Sequence, residues 1–579
     1  MDLNAHLLPE VKAAMKKAGA AVDESVVMDN TLTKKFESRN KPEKLEWFQD
    51  AGLGLFIHWS IDAQLGCVIS HSLVGASEGY VDRFYEELPK TLEKGSWDFD
   101  HLASLAKLAG FQYAVLTTKH HCGFCLWDTQ TTDFNIMNTA VSRDLVRAFA
   151  EAFRGQGIKV GFYFSPEDFC FLRGEHLTIT RTITEPYAPE VMARYRDFVG
   201  AQMHELLTNY GPVDVMFFDG GESMIGEDGV SLQQYCLNLA WDLQPDVLIT
   251  RGAIPTPEQQ LPGVGAEEAW EACITLGTAW QHQPTNEHYK TGAQLIRMLV
   301  DTRAKGGTLL LNVGPDARGA LCAEQEGLLR ELALWHFING ECIHGVRPWT
   351  LVRENEIYLL KKKDGSALYA VIAGEKNWKR GERREFVLTS VGASASSQIS
   401  VLGASGELVE YRPDLDAAPK LWQEADGLHL SVMKSQRIYC GIEWENPLVV
   451  RITDPVSTFK SFEIETLPEK AAWETDPQTG KAKAALHFAV RSLGSFGKAL
   501  ARVEIRKYPG FALSSYGDPK DWTRIELGRE LSETGEYEIA AEGLEPGIPY
   551  QYQPVIYNDL IEVRGEYALL TVPMEETNL

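Results

Sequence analysis

Five short apolar runs end in side chains that can bind or react: Ile57-His58-Trp59, Thr118-Lys119-His120-His121, Tyr163-Phe164-Ser165-Pro166-Glu167, Phe218-Asp219-Gly220-Gly221 and Thr250-Arg251-Gly252. If the runs are neighbouring strands of one sheet, three His, a Tyr, an Asp and an Arg meet at one mouth. His, Tyr and Arg can satisfy hydroxyl groups as donors or acceptors, and a Trp or Phe packs an apolar face, so the set suits a neutral, hydroxyl-rich ligand. Asp219 is the candidate nucleophile, and the glycines after it allow a ring to approach the backbone closely. Cleaving a glycoside also requires a second carboxyl group, about 5–5.5 Å from the first when configuration is retained. Glu258, Glu267, Glu268 and Glu271 follow the fifth run and are the candidates.

Each residue alone has a plainer explanation. His58 could be a satisfied core histidine, Asp219 a helix cap, and Arg251 a structural ion-pair partner. Trp59, Trp127 and Trp280 could simply pack, and Trp349 is read that way. His120-His121-Cys122-Gly-Phe-Cys125 offers zinc-ligand types. Adjacent residues on a strand point to opposite faces, however, so His120 and His121 are not expected to share a metal. Cys122 and Cys125 read as small core residues, and neither metal nor cofactor is expected. The plain explanations weaken because one strand end after another is polar.

Positioning these residues requires a particular fold. The runs at 53–57, 113–116, 160–164, 213–218, 247–249 and 309–311 alternate with amphipathic stretches near 98–109, 142–155, 189–208, 230–243, 291–305 and 323–338. That succession predicts a parallel sheet, and its length suits a (β/α)8-like, TIM-type barrel over 45–345, with reactive groups at the C-terminal strand ends. A doubly wound open sheet is the alternative. A polar extension, 1–44, precedes it. Period-two segments then predict a β-sandwich over 346–446 and a second all-β unit over 447–579. Within that unit, Thr534 to Asn558 reads as the final hairpin of a fibronectin type III module.

Composition narrows the partners. The chain has 579 residues, 44% hydrophobic and 24% charged, and its formal net charge of −25 (81 acidic against 56 basic residues) excludes a nucleic-acid footprint. No apolar run approaches the roughly 18 residues of a membrane span. The helical stretch Val11 to Ala21 lacks a signal's apolar core, and nine scattered cysteines are no disulfide framework. A cytoplasmic protein is expected, or a secreted one if a signal has been removed, with self-association left open.

The runs Gly54-Leu-Phe-Ile-His58-Trp59, Lys119-His120-His121-Cys122-Gly123-Phe124, Gly161-Phe-Tyr163-Phe-Ser165, Phe218-Asp219-Gly220, Trp270-Glu271-Ala-Cys273 and Leu310-Leu-Asn312-Val-Gly314-Pro315 resemble glycoside hydrolase family 29, the α-L-fucosidases. Ile338-Asn-Gly340-Glu341 and Gly345-Val-Arg347-Pro348-Trp349 extend the match. The resemblance implies a retaining, exo-acting enzyme that releases terminal α-L-fucose from oligosaccharides or glycoconjugates through a covalent fucosyl-enzyme. It implies Asp219 as nucleophile, and His58, Glu78, His120, His121, Tyr163, Arg251 and Trp280 as sugar-binding residues, Trp280 on the side of the C5 methyl. It points to Glu258 as acid/base, with Glu271 as second choice. Two positions depart from the family's pattern: Cys122 stands where Asp is usual, and Gly79, in place of a Trp, opens the pocket edge. The competing classes are a non-catalytic fucose- or galactose-type binder, which would not need Asp219, a metal-dependent hydrolase, which would need converging ligands, and a related barrel glycosidase such as a galactosidase, which would need a polar partner for the C6 hydroxyl.

Overall fold

The computed structural model describes residues 36–181, 183, 186–259, 261–262, 265–266, 268–285, 287–439, 445–458, 460–507, 522–558, 562–565 and 568–573. The segments 1–35 and 574–579, and Glu267, lie outside them. Seven strands form one parallel sheet: β1 (Leu53–Ile57), β2 (Tyr113–Lys119), β3 (Lys159–Phe164), β4 (Val215–Phe218), β5 (Leu248–Ile249), β6 (Glu271–Thr275) and β7 (Thr308–Val313). Their spatial order is β5-β4-β3-β2-β1-β7-β6. In β1, Leu55 lies opposite Ala114 on one side and Leu311 on the other. Helices Phe99–Leu108, Leu145–Gly155, Pro189–Asn209, Leu232–Leu243, Gly292–Ala304 and Ala323–Asn339 fall between or after the strands, within a few residues of the amphipathic stretches. Asp98, Asp144, Ser231 and Thr291 each accept a hydrogen bond from the third backbone N–H of their helix. Each such cap stabilises its helix start by about 1 kcal/mol.

Phe56, Tyr113, Val115, Tyr163, Val215, Phe217, Leu248, Cys273 and Leu310, which together come from all seven strands, belong to a single apolar cluster. The sheet is therefore curled, because the same face of every strand reaches one core. β6 was not among the expected runs. It is short and begins with a buried carboxyl group, so hydropathy does not mark it. Residues 255–259 lie along its free edge: Glu271 and Cys273 N–H donate to Pro255 and Pro257 O at 3.0 and 3.1 Å, and Gln259 N–H donates to Cys273 O at 2.9 Å. Backbone pairing thus holds Glu258 against the sheet.

Beyond β7, Val346–Glu354, Ile357–Lys362, Ala367–Ile372, Ile399–Val401 and Leu448–Thr453 form a five-stranded sheet. It shares a core of residues such as Leu359, Leu368, Leu388, Leu430 and Ile452 with a three-stranded sheet of Arg383–Leu388, Lys420–Glu424 and Gly427–Met433. The strand Leu448–Thr453, placed by the sequence reading in the last unit, pairs instead with Ala367–Ile372, Val450 lying opposite Ala370. Period-two alternation marks a strand without naming the sheet it joins.

The last unit has two sheets around Leu486, Phe488, Val503, Ile505, Ile539, Tyr552 and Ile556. Its segment 534–558 is not the hairpin expected. Gly535–Leu544 pairs with Ala482–Ser492, whereas Pro549–Tyr557 pairs with Leu500–Lys507 in the other sheet. The connection is a crossover, held where Glu545 N–H donates to the Tyr550 hydroxyl at 2.9 Å, a tyrosine corner. Among the described residues, no helix is long and apolar enough to cross a membrane.

Candidate active site

An aromatic floor underlies the C-terminal strand ends. Phe56 and Phe217 rings lie 4.9 Å apart, and Tyr163 stacks on Phe217 at 5.7 Å. Gly161 sits on the same face of β3 as Tyr163, where a Cβ would press to 3.0 Å on Val115 and Val215, so glycine lets the strands pack closely beneath the floor. Asp219 continues the inward alternation of β4 past Phe217, and its N–H donates to Phe164 O at 3.3 Å.

The carboxylate of Asp219 is held from two sides. Tyr163 donates to Oδ2 at 2.8 Å. Arg251 Nη1 and Arg181 Nη2 stand 3.7 and 3.8 Å from Oδ1. Burial by itself would push this acid's pKa up. The guanidiniums of Arg251 and Arg181, with the Tyr163 hydroxyl, outweigh it and hold the pKa well below the usual carboxylate range. Asp219 is accordingly ionised at neutral pH, as a nucleophile must be. The other arm of Arg251 reaches Glu258, Nη2 to Oε2 at 2.5 Å. One guanidinium therefore brings both carboxylates to the same mouth, with the Glu258 side chain 26% exposed.

Glu271, the second choice for acid/base, lies elsewhere. It is the first residue of β6, fully buried in the concave core, where the Tyr113 hydroxyl donates to Oε1 at 2.5 Å. Its position beneath the floor, at strand starts rather than strand ends, makes it a brace. Glu268 is exposed ahead of β6.

The three histidines are fixed by second partners. Asn312 Nδ2 donates to Trp280 O at 2.7 Å, which turns Asn312 Oδ1 toward His58 Nδ1 at 2.5 Å. His58 Nδ1 then carries the proton, and Nε2 is left as an acceptor. Ser165 donates to Glu167 O at 3.0 Å and so accepts from His121 Nδ1 at 2.6 Å. Among the described residues, His121 Nε2 is buried without a hydrogen-bond partner, 3.6 Å from Asp219 Oδ2. His120 Nδ1 meets Ser70 Oγ at 2.8 Å, and its ring stacks on Tyr163 at 5.4 Å. Burial keeps all three neutral, His58 down to about 3 and the others well below their ordinary value. Trp280 closes one side, 4.9 Å from His58.

Glu78 does not join them. It is exposed in the first turn of Glu78–Glu86, makes no hydrogen bond or ion pair among the described residues, and is followed by Gly79, around which space is open. The loop after β1 instead brings His71, whose ring lies 5.6 Å from His121 and 6.3 Å from His120. Cys122 Sγ takes the Ser60 hydroxyl as partner at 3.1 Å. The expectation that His120 and His121 diverge is also corrected. β2 ends at Lys119, so strand alternation no longer applies, and their rings are 4.2 Å apart. His120, His121 and Asp219 present ligand atoms within 4.8 Å of one another. Two guanidiniums already face that carboxylate, and they would repel a cation. Lys119 turns away toward Asp168 and Gln202, both at 2.9 Å, in a buried network that anchors the strand end to Pro189–Asn209.

Glu167, Arg181 and His71 were missed as site residues. Glu167 was visible at the end of the third run, but Arg181 arrives from a loop 14 residues further on, where no periodicity announces it.

An ionised carboxylate, a second carboxylate on the same guanidinium and neutral histidines with free acceptors, at the C-terminal ends of a curled parallel sheet, define a glycoside hydrolase. The sequence profile of the family Alpha-L-fucosidase matches residues 20–341. That is more than half of the chain, which therefore belongs to the α-L-fucosidase family. The plasma alpha-L-fucosidase of Pongo abelii is 25% identical over 386 residues, covering 58% of this chain and 78% of that one. Alpha-L-fucosidase isoenzyme 1 of Paenibacillus thiaminolyticus superposes with a TM-score of 0.55 at 28% identity, covering 71% of this chain and 98% of that one. An alpha-L-fucosidase of Bacteroides thetaiotaomicron, solved as a covalent intermediate trapped with 2-fluoro-fucosyl fluoride, shares the fold at 19% identity and a TM-score of 0.55, covering 75% of this chain and 99% of that one.

Proposed function

We propose that this chain is an exo-acting, retaining α-L-fucosidase that hydrolyses terminal α-L-fucose from glycans or glycoconjugates. Asp219 attacks the anomeric carbon while Glu258 protonates the departing oxygen, and Glu258 then takes a proton from the water that releases fucose. His58, His120, His121, Tyr163 and Arg251 hold the sugar hydroxyls, and Trp280 lines the methyl side. The observation that carries this reading is the single guanidinium of Arg251 shared between Asp219 and Glu258. The orphaned His121 Nε2 supports it further, because a sugar hydroxyl donating there would satisfy a buried acceptor beside the nucleophile. The covalent intermediate of the Bacteroides thetaiotaomicron relative is consistent with double displacement.

The curled sheet with 255–259 along its edge supports a (β/α)8-type barrel, and the paired sheets behind it support two β-sandwiches, the last of fibronectin type III kind. The eight described cysteines are all free, which suits the reducing, cytoplasmic setting we propose. The test is hydrolysis of 4-nitrophenyl α-L-fucoside beside α- and β-D-galactosides. Activity on the fucoside alone, lost in Asp219→Ala, is the expected result; turnover undiminished in Asp219→Ala would sink the assignment.

A further inference from the structure

Asp219 stands at the head of a turn made by Gly220 and Gly221, both left-handed, with φ of +84° and +86°. Two successive glycines leave such a turn free to swing. A nucleophile cannot swing: a displacement of about 1 Å from the attacking geometry costs about a hundredfold in rate. Gln233 borders the turn, its N–H donating to Gly221 O at 3.3 Å and its Nε2 to Phe218 O at 3.3 Å, and the carboxylate that touches both glycines is Glu167, buried on the turn after β3 with its side chain 3% exposed. Its Oε1 accepts from Gly221 N–H at 3.0 Å. Its carboxyl carbon fills the place beside Gly220 where a Cβ would stand, 2.5 Å away.

The other oxygen of Glu167 accepts from Arg181 Nε at 3.0 Å, and Arg181 Nη2 reaches 3.8 Å from Asp219 Oδ1. Glu167 thus meets the nucleophile by two routes, through the Gly221 backbone and through the Arg181 guanidinium. The sugar-binding groups rest mainly on other supports: His58 on Asn312, His120 on Ser70, and His121 on Ser165 at 2.6 Å, with Glu167 Oε2 flanking the same His121 Nδ1 only at 3.5 Å. We propose that Glu167 and Arg181 are positioning residues that aim the Asp219 carboxylate, an inference that rests on Asp219 being the nucleophile.

The experiment uses the full chain and 4-nitrophenyl α-L-fucoside. Glu167→Gln and Arg181→Met should each lower kcat by about 30- to 100-fold while KM stays within about threefold, and Arg181→Lys should recover part of the loss. The decisive comparison is made in an Asp219→Gly background supplied with azide. There an azide nitrogen bonds to C1, 4-nitrophenolate leaves with the electron pair of the broken bond, and no carboxylate has to be aimed. Adding Glu167→Gln to that background should leave the azide-dependent rate within about twofold, because the step lost on misaiming no longer exists.

An equal fall in the azide-dependent rate would make Glu167 a general support of the pocket and overturn the proposal. So would unchanged kcat in Glu167→Gln and Arg181→Met beside an inactive Asp219→Ala, a result that leaves the nucleophile assignment standing. Full activity of Asp219→Ala would overturn both.

Discussion

Replacing Glu271 by Gln should stabilise the protein in alkali and leave catalysis alone. Its carboxyl is fully buried, and burial raises its pKa from the ordinary 4.5 to about 7, against the hydrogen bond from Tyr113, the nearby Thr250 hydroxyl and the pull of Arg251. An acid whose folded pKa is raised holds its proton longer in the folded state. The unfolded chain loses that proton first as pH rises through 4.5, and stability falls until the folded group also ionises near 7. At about 1.4 kcal/mol for each tenfold in proton affinity, the burden is roughly 3 kcal/mol above pH 7 and nothing below pH 4.5. In Glu271→Gln the amide oxygen can still accept from Tyr113, and the amide N–H can donate toward Thr250. The assay is denaturant unfolding of both proteins from pH 4.5 to 8.5, with kcat measured alongside. The variant should match the parent near pH 4.5, exceed it increasingly toward pH 8, and turn over fucoside within about twofold of the parent. A difference independent of pH, or a fall in kcat of a hundredfold that azide restores, would refute the bracing role and return Glu271 to the reaction.

Glu258→Ala should slow hydrolysis by about 10²–10⁴-fold on substrates with poor leaving groups and far less on 4-nitrophenyl fucoside, with azide accelerating the latter; equal losses on both classes would deny Glu258 the acid's role. Gly220→Ala places a Cβ 2.5 Å from the Glu167 carboxyl at a φ of +84°, so it should cost about 1–3 kcal/mol of stability and also lower kcat, which thermal melts and steady-state kinetics read together. Tyr550→Phe removes the hydroxyl that accepts from Glu545 N–H. It should destabilise the last unit by about 1–2 kcal/mol without changing turnover; a change in kcat would mean that this unit reaches the active site.

What the sequence disclosed follows from where periodicity carries information. β1 to β4 and β7 are buried on both faces, so they appear as unbroken apolar runs, and the helices between them as amphipathic stretches. The polar residues just past those runs were legible for the same reason, and His58, His120, His121, Tyr163, Asp219 and Arg251 do meet. β6 was hidden because Glu271 opens it with a buried carboxyl group. Glu78 was carried over from the resemblance, but it is exposed at the start of the helix Glu78–Glu86, and His71 lies beside the paired histidines instead. Arg181 comes from a long loop whose path depends on a tertiary partner, the buried Glu167, and no local pattern encodes that. Leu448–Thr453 shows the same limit for strands: its alternation was plain, but its sheet was not.

The central claim is that Asp219 forms the glycosyl-enzyme, and the most direct measurement is to trap it. The purified chain would be incubated with 2-fluoro-fucosyl fluoride, the reagent that trapped the Bacteroides thetaiotaomicron relative, then digested and mapped by mass spectrometry. The account predicts one fluorofucosyl adduct per chain, on the peptide containing Asp219, absent from Asp219→Ala. A label on Glu258 or Glu271, or steady turnover of the reagent with no covalent adduct, would contradict it.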